Sequence, residues 1–118
     1  MGWFSRNQGQ QAEQEAKHWL IRHQHRILFE NFHCKGGEID LIALDADDTL
    51  VFIEVKARKN RDFGHAAEFV DARKQARLTR CAQVFLLKHP SYQHHAMRFD
   101  VLAYHDATSE PEWIQNAF

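Results

Sequence analysis

The spacing of hydrophobic residues changes several times along the chain, and each change marks a new structural element. From Asn7 to Gln24, apolar residues recur every three or four positions, which predicts an amphipathic helix. Alternation over Ile27–Phe32 then predicts a first strand. Two apolar runs, Glu38–Leu44 and Leu50–Arg58, flank a short polar segment of turn-forming residues. This arrangement predicts a β-hairpin.

The second half of the chain adds one helix, one strand and a tail. After a predicted loop at Asn60–Ala66, helical spacing over Asp71–Lys88 predicts a second long helix that ends before Pro90. Met97–Tyr104 alternates again and predicts a fourth strand. The tail, Glu110–Phe118, is expected to form a short helix or an extended segment. The order α-β-β-β-α-β predicts an α/β fold in which helices flank a mixed β-sheet.

The length of 118 residues and the absence of repeats or linkers predict a single domain spanning residues 1–118. No apolar run approaches the ~18 residues of a membrane span, so no membrane partner is expected. Cys34 and Cys81 are too few for a disulfide framework, and a cytoplasmic location is therefore expected. A single bridge between these two cysteines remains open.

The net charge of −1 predicts no general attraction to polyanions, but the charges are distributed unevenly. Between Val55 and Arg80, eight basic residues accompany three acidic ones, which gives this segment a charge of 8 − 3 = +5. Such a run is often only a solvated face. It becomes a candidate phosphate-binding surface if the surrounding residues point to the same function.

Charged residues interrupt both strands of the predicted hairpin. Glu54 and Lys56 share one face of the third strand, and Glu38 shares a face of the second strand with Asp40. A turn centred on Asp47 would place Asp40 directly opposite Glu54, with Cβ atoms ~4.5–5.5 Å apart. A two-residue turn would instead place these acids on opposite faces. Two facing carboxylates repel each other, which favours a divalent cation between them. The alternative is an ordinary ion pair with Lys56 on a solvated face.

This arrangement resembles the core of a known class of nucleases. Asp40 is followed, after thirteen residues, by Glu54-Val55-Lys56. The pattern is similar to the D…(D/E)xK core of the restriction-endonuclease-like nucleases, which include the archaeal Holliday junction resolvases. Ile39 replaces the proline that usually precedes the aspartate.

The chain resembles the YraN family, small bacterial proteins of uncertain function, still more closely. Two segments carry most of this resemblance, Cys34–Ala43 and Val51–Arg58. In the first helix, Glu13 matches the family pattern, but Ala12 replaces the usual glycine. Shorter matches continue the pattern at Phe63-Gly64, Arg73–Leu78, Arg98–Val101 and Asn116–Phe118.

The resemblance implies a restriction-endonuclease-like domain that hydrolyses DNA phosphodiester bonds, including those of branched or damaged DNA. Asp40 and Glu54, together with the Val55 carbonyl, would hold Mg²⁺ or Mn²⁺, which prefer oxygen ligands. Lys56 would orient or help to deprotonate the attacking water and offset charge on the phosphate. Glu13 would add an outer-sphere ligand or position water; the alternative is an exposed helix glutamate.

Basic and amide side chains beyond the third strand would then contact the nucleic acid, which is expected to be DNA. Lys74 and Gln75 lie beside the apolar stripe of the second helix, near its beginning; solvent exposure is the alternative for Lys74. Contacts of this kind position the nucleic acid without reading its sequence. The predicted phosphate-binding set is Arg58, Lys59, Arg61, Arg73, Lys74, Gln75, Arg77 and Arg80.

Two non-catalytic functions stay open alongside the nuclease. The chain could be a nucleic-acid-binding or accessory protein with a nuclease fold, or a protein-interaction domain. The intact Asp40, Glu54 and Lys56 favour the enzyme, because the loss of one of them would be the simplest mark of an inactive nuclease. Many resolvase-like enzymes act as dimers, so a homodimer is consistent with the resemblance, although no residue pattern supports it.

Overall fold

The structure is a computed structural model that describes residues 6–57, 70–105 and 110–118, with side chains described from residue 10 onward. The helices are α1 (Arg6–Arg22) and α2 (Ala72–Lys88), and a 3₁₀ turn spans Pro90–Tyr92. The strands are β1 (Arg26–Cys34), β2 (Gly37–Leu44), β3 (Leu50–Ala57), β4 (Met97–Tyr104) and β5 (Glu112–Ile114). The bounds predicted for the helices and first four strands agree to within two residues where they can be compared. The predicted loop at Asn60–Ala66 lies outside the described residues.

The five strands form one mixed sheet in the order β1-β2-β3-β4-β5. The β1–β2, β2–β3 and β4–β5 pairs are antiparallel, and β3 and β4 are parallel. A parallel pair needs a long crossover connection, and α2 lies on that connection. The predicted order α-β-β-β-α-β is therefore confirmed. The tail is extended rather than helical and adds β5 at the edge of the sheet.

The central strands are buried on both faces, which explains why they are almost continuously apolar. On one face, Phe52 of β3 lies in a core with Leu78 and Phe85 of α2. On the other face, Ile53 lies in a core with Leu20 of α1. Complete burial of a large apolar side chain stabilises a fold by roughly 1.5–3 kcal/mol. The two helices are thus held on opposite faces of the sheet.

Local hydrogen bonds set the geometry of the β2–β3 hairpin. The Asp45 Oδ1 atom accepts from the backbone N–H groups of Asp47 and Thr49, at 2.8 and 2.9 Å. In the resulting register, Leu44 lies opposite Leu50 and Leu41 lies opposite Ile53. These pairs match the turn centred on Asp47 and not the alternative two-residue turn. The pairing ends at Leu41 and Ile53, so it does not extend to the predicted pair of Asp40 with Glu54.

A disulfide joins Cys34, at the end of β1, to Cys81 in the middle of α2, with 5.5 Å between the Cα atoms. The sequence left this bridge open. It ties the β1–β2 turn to the helix that packs over it. None of the helices in the described part of the chain is long and apolar enough to span a membrane.

Candidate functional site

The candidate site forms where β2 and β3 separate. Paired residues of the two strands end at Leu41 and Ile53, whereas β3 continues beside β4 as far as Ala57. Beyond this point, the Val55 N–H group donates a 2.8 Å hydrogen bond to Oδ2 of Asp40. A side chain has therefore replaced a main-chain acceptor, and the strands leave room for polar groups between them.

This separation opens onto a cavity of about 310 Å³. Its walls come from the beginning of β2, from β3 and from the first two turns of α2. The lining residues are Gly37, Glu38, Asp40, Glu54, Lys74, Arg77 and Leu78. Three of the seven are acidic and two are basic, so the cavity suits a polar ligand better than an apolar one.

Asp40 is buried at 7% exposure beside another carboxylate. Burial, followed by the negative charge of Glu54, raises the pKa of Asp40 from an ordinary value of 3.8 to about 8. The hydrogen bond from Val55 acts in the opposite direction but is the weaker influence. The charge of Glu13 adds to the increase in the pKa of Asp40. Ionised Asp40 is therefore costly in this site without a cation.

Glu54 is as buried as Asp40, at 6% exposure, but its surroundings are different. The Lys56 ammonium lies 2.9 Å from Glu54 Oε2, and the Lys74 ammonium contacts the same oxygen. Burial alone would raise the pKa of Glu54, but the charges and hydrogen bonds of the two lysines outweigh it and lower that pKa. Glu54 is thus the ionised member of the carboxylate pair.

The pKa values of the two lysines shift in opposite directions, although both lysines contact the Glu54 carboxylate. Burial lowers the pKa of Lys56, and the neighbouring Lys74 lowers it further, although Glu54 acts in the opposite direction. Burial also disfavours the charge on Lys74, but hydrogen bonds to Glu54 and Lys56 raise the pKa of Lys74 overall. Lys56 is therefore the lysine that gives up its proton more readily.

Asp40 also belongs to a cluster of three carboxylates. One carboxylate oxygen from each of Glu13, Glu38 and Asp40 lies within 4.8 Å of the others. Burial, and then the charges of Glu38 and Glu54, raise the pKa of Glu13. Glu13 comes from α1 and Lys74 from α2, so groups from both faces of the sheet meet here. The sequence predicted a role for Glu13. It placed Glu38 on the face of Asp40 without giving it a function.

The site fits a divalent metal ion by the chemistry of its donors. Carboxylate oxygens are the ligands that Mg²⁺ and Mn²⁺ prefer, and a cation here would remove the repulsion that raises the pKa of Asp40. Asp40 with Glu13 and Glu38 offers such donors directly. Glu54 offers them beside two ammonium groups. The Val55 carbonyl remains a predicted ligand, since the contact described for this residue involves its N–H group.

The predicted phosphate-binding residues fall into four groups. Lys74 and Arg77 line the cavity, whereas Arg73 and Arg80 are exposed on α2. Gln75 donates a 3.0 Å hydrogen bond from its side chain to the Val70 carbonyl, at the beginning of the helix. The predicted contacts Arg58, Lys59 and Arg61 lie outside the described residues.

The chain matches a known protein family over most of its length. Residues 12–104 match the model of a family described as "Uncharacterised protein family UPF0102". A UPF0102 protein of Alcanivorax borkumensis is 47% identical over 116 residues, which cover 96% of this chain and 92% of that protein. A UPF0102 protein of Vibrio parahaemolyticus is 48% identical over 118 residues, covering 99% and 97% of the two chains.

Among solved structures, the chain is similar to one titled "crystal structure of a repair endonuclease from Pyrococcus abyssi". The sequence identity is 14% and the TM-score is 0.49. The match covers 87% of this chain and 39% of the other. A likeness this distant does not inform on activity.

Proposed function

Because the chain belongs to the UPF0102 (YraN) family and Asp40, Glu54 and Lys56 meet beside one polar cavity, we propose that it is a metal-dependent endonuclease. Its substrate would be DNA, including branched or damaged DNA, and its reaction the hydrolysis of phosphodiester bonds. The observation that carries the proposal is the pair of buried carboxylates next to Lys56. Two lysines compensate Glu54, but ionised Asp40 beside it is costly unless a bound cation compensates it.

Asp40 and Glu54 would hold Mg²⁺ or Mn²⁺, with the Val55 carbonyl as a further ligand. The cluster geometry adds Glu13 and Glu38 as ligands, either directly or through water. When bound, the metal would supply Lewis-acid activation of water and offset charge on the phosphate. The protein's contribution is to fix these oxygens on two strands whose register is set by a hydrogen-bonded turn.

Lys56 is placed to act on the attacking water. It is held on β3 two residues from Glu54, its side chain is only 14% exposed, and burial lowers its pKa. Hydrolysis needs a group that takes a proton from water as the oxygen bonds to phosphorus. A lysine with a lowered pKa is suited to that step, and it also stabilises the negative charge on the phosphate. Lys56 would therefore orient or deprotonate the water.

The basic face of α2 would bind the DNA backbone. Arg73, Arg77 and Arg80 are spaced so that they share one side of the helix, and Arg77 also lines the cavity. A backbone track beside the carboxylates would place a phosphate within reach of the site. Each duplex phosphate contact that is lost should reduce the salt dependence of binding by about 0.9 in log–log slope. An unchanged slope after all three arginines are replaced by uncharged residues would contradict this assignment.

A cleavage assay tests the proposed function. Purified protein is incubated with Mg²⁺ or Mn²⁺ and with duplex, single-stranded, flap or four-way-junction DNA. We expect metal-dependent cleavage of at least one substrate by the wild type and none by Asp40→Ala. Calorimetry provides the second arm, in which Asp40→Ala and Glu54→Ala should each weaken Mn²⁺ binding. Equal Mn²⁺ binding by the wild type and the double variant would end the nuclease proposal.

One observation favours a second candidate, a nucleic-acid-binding protein that does not cleave. The two ammonium groups on Glu54 already neutralise a carboxylate that a nuclease would use for metal. In such a protein, the lysines would be permanent partners of Glu54 and additional cations near the backbone. DNA binding without cleavage in any metal, together with Mn²⁺ affinity unaffected by Glu54→Gln, would support this candidate over the enzyme.

A further inference from the structure

Lys74 reaches Glu54 in a different way from Lys56. Lys56 is attached to the same strand, two residues along, and its side chain is 14% exposed. Lys74 comes from the first turn of α2, lines the cavity and is 29% exposed. Both ammonium groups contact the same oxygen, Glu54 Oε2. Lys74 is thus the more loosely enclosed of two cations that share one acceptor.

Two positively charged ammonium groups therefore contact one negatively charged carboxylate. One carboxylate with two ammonium groups carries a net charge of +1 (2 − 1). A divalent cation bound to Asp40 and Glu54 would neutralise Glu54 itself and repel both lysines. Both lysines have the same flexible four-carbon stem, but Lys74 lines the cavity and is 29% exposed, whereas the Lys56 side chain is 14% exposed. Lys74 is therefore the cation that a metal would displace.

A Lys74 side chain that leaves Glu54 would remain in the same cavity, beside Arg77. Arg77 lies three residues further along α2, on the same side of the helix, and lines the cavity with Lys74. An ammonium and a guanidinium side by side are suited to bind the oxygens of one phosphate. We infer that Lys74 neutralises Glu54 when no metal is bound and moves to a DNA phosphate when metal binds. This inference rests on the proposed function.

The exchange would couple metal binding to DNA binding. Metal would release a phosphate-binding cation, and DNA would in turn favour the metal-bound arrangement by the same factor. Removing the Lys74 charge should therefore have two opposite effects. The affinity for metal should increase because a competing cation is gone. The improvement of DNA binding by metal should decrease because the released cation is missing.

The test compares wild type with Lys74→Met, which keeps most of the apolar stem without the charge. Mn²⁺ affinity is measured by calorimetry without DNA, and DNA affinity is measured with and without Ca²⁺. For the wild type, we expect Ca²⁺ to tighten DNA binding roughly tenfold, within the usual range of coupling between sites. For Lys74→Met, this factor should fall to about two, while Mn²⁺ affinity should increase several-fold.

Arg73→Met is the matched control, because Arg73 is exposed on the same helix turn and its loss removes the same charge. It should weaken DNA binding equally with and without Ca²⁺ and leave Mn²⁺ affinity nearly unchanged. If Lys74→Met does not fold, Lys74→Gln replaces it, since the amide can still donate to Glu54. An Mn²⁺ affinity and a Ca²⁺ factor equal to those of wild type would overturn the inference. Absence of Mn²⁺ binding by the wild type would instead reject the proposed function.

Discussion

Two buried aspartates in the same sheet, Asp40 on β2 and Asp100 on β4, have opposite surroundings. Asp100, at 1% exposure, accepts hydrogen bonds from Arg98 Nε at 3.1 Å, Trp113 Nε1 at 3.0 Å and the Asn116 N–H group at 2.9 Å. Asp40 accepts one from the Val55 N–H group and otherwise faces carboxylates. Two buried aspartates therefore differ in their partners: Asp100 has hydrogen-bond donors on both carboxylate oxygens, whereas the pKa of Asp40 is strongly raised.

The groups around Asp100 explain its structural role. The donors Trp113 and Asn116 belong to the C-terminal tail, so Asp100 attaches β5 and the residues after it to β4. Arg98 also bonds to Asp45 at 2.7 Å, which links β4 to the hairpin turn. Burial works against the ionisation of Asp45, but the hydrogen bonds from Arg98 and the turn amides lower the pKa of Asp45. This second acidic region is complete without any added cation.

The difference provides a criterion for separating functional from structural acids. A buried carboxylate that is surrounded by donors contributes to stability. One that is surrounded by other carboxylates reduces stability until a cation binds, and such sites are common among metal-binding and catalytic groups. By this criterion, we propose a functional role for Asp40 and a structural role for Asp100.

The largest expected effect is on cleavage. Under the proposed function, Asp40→Ala should reduce the rate of DNA cleavage by about 10³-fold or more, because loss of the proposed metal ligand would remove several kcal/mol of transition-state stabilisation. Asp100→Ala should retain a rate within a few-fold of wild type when both are assayed below their melting temperatures. Single-turnover cleavage on the preferred substrate measures both. Comparable losses in the two variants would remove the distinction between the aspartates.

The next largest effect is on stability, which substitution of Asp100 should lower more than substitution of Asp40. Asp100→Ala should lower the free energy of unfolding by about 3 kcal/mol, because it leaves buried donors on Arg98 and Trp113 without their acceptor. For a domain of this size, that change corresponds to a melting temperature lower by roughly 10 °C. Asp40→Asn should be neutral or stabilising in the presence of a chelator. Thermal unfolding of both variants, monitored by circular dichroism, tests this contrast. A melting temperature of Asp100→Ala equal to that of wild type would contradict it.

Sequence patterns predicted the features that depend on local interactions. The turn chemistry of Asp45 to Thr49 fixes the hairpin register, and the register places Asp40 near Glu54. The helical spacing of Leu78 to Phe85 predicted the buried face of α2 for the same reason. In each case, residues close in the chain determine the geometry, so one sequence predicts the element and limits the hairpin register to two alternatives.

Contacts between distant segments could not be predicted in this way. The contact of Lys74 with Glu54 joins α2 to β3, and the sequence indicated only that Lys74 lies beside the apolar stripe. The Cys34–Cys81 bridge joins β1 to α2. The extended form of β5 is set by its pairing with β4, a separate strand earlier in the chain. Such features are set by how the helices dock on the sheet.

A smaller effect concerns the pH dependence of stability. The pKa of Asp40 is raised from 3.8 to about 8 in the folded chain, so the folded state binds this proton more tightly than the unfolded state. Its contribution to stability is complete below pH 4 and is lost as the pH rises towards 8. Between pH 6 and 8 with a chelator, wild type should therefore lose stability relative to Asp40→Asn, with a slope of at most about 1.4 kcal/mol per pH unit. Urea unfolding of both proteins at several pH values measures this difference. Parallel pH profiles would show that Asp40 has an ordinary pKa.

The smallest expected effect concerns Glu38, whose side chain is 41% exposed and which is the outermost member of the acidic cluster. Glu38→Gln should weaken Mn²⁺ binding several-fold, less than Asp40→Ala, because water can replace a ligand at an exposed position. Glu30→Gln is the matched control. It removes the same charge from an exposed glutamate on β1 that pairs with Lys17 at 2.9 Å, outside the cavity.

Calorimetry at two salt concentrations separates direct metal ligation by Glu38 from a general electrostatic effect of its charge, since salt screening substantially weakens only the latter. If both variants lower Mn²⁺ affinity equally, and the difference from wild type disappears at high salt, Glu38 acts through its charge alone. A loss of Mn²⁺ affinity that is specific to Glu38→Gln and persists at high salt would indicate that Glu38 is itself a metal ligand, although its side chain is partly exposed.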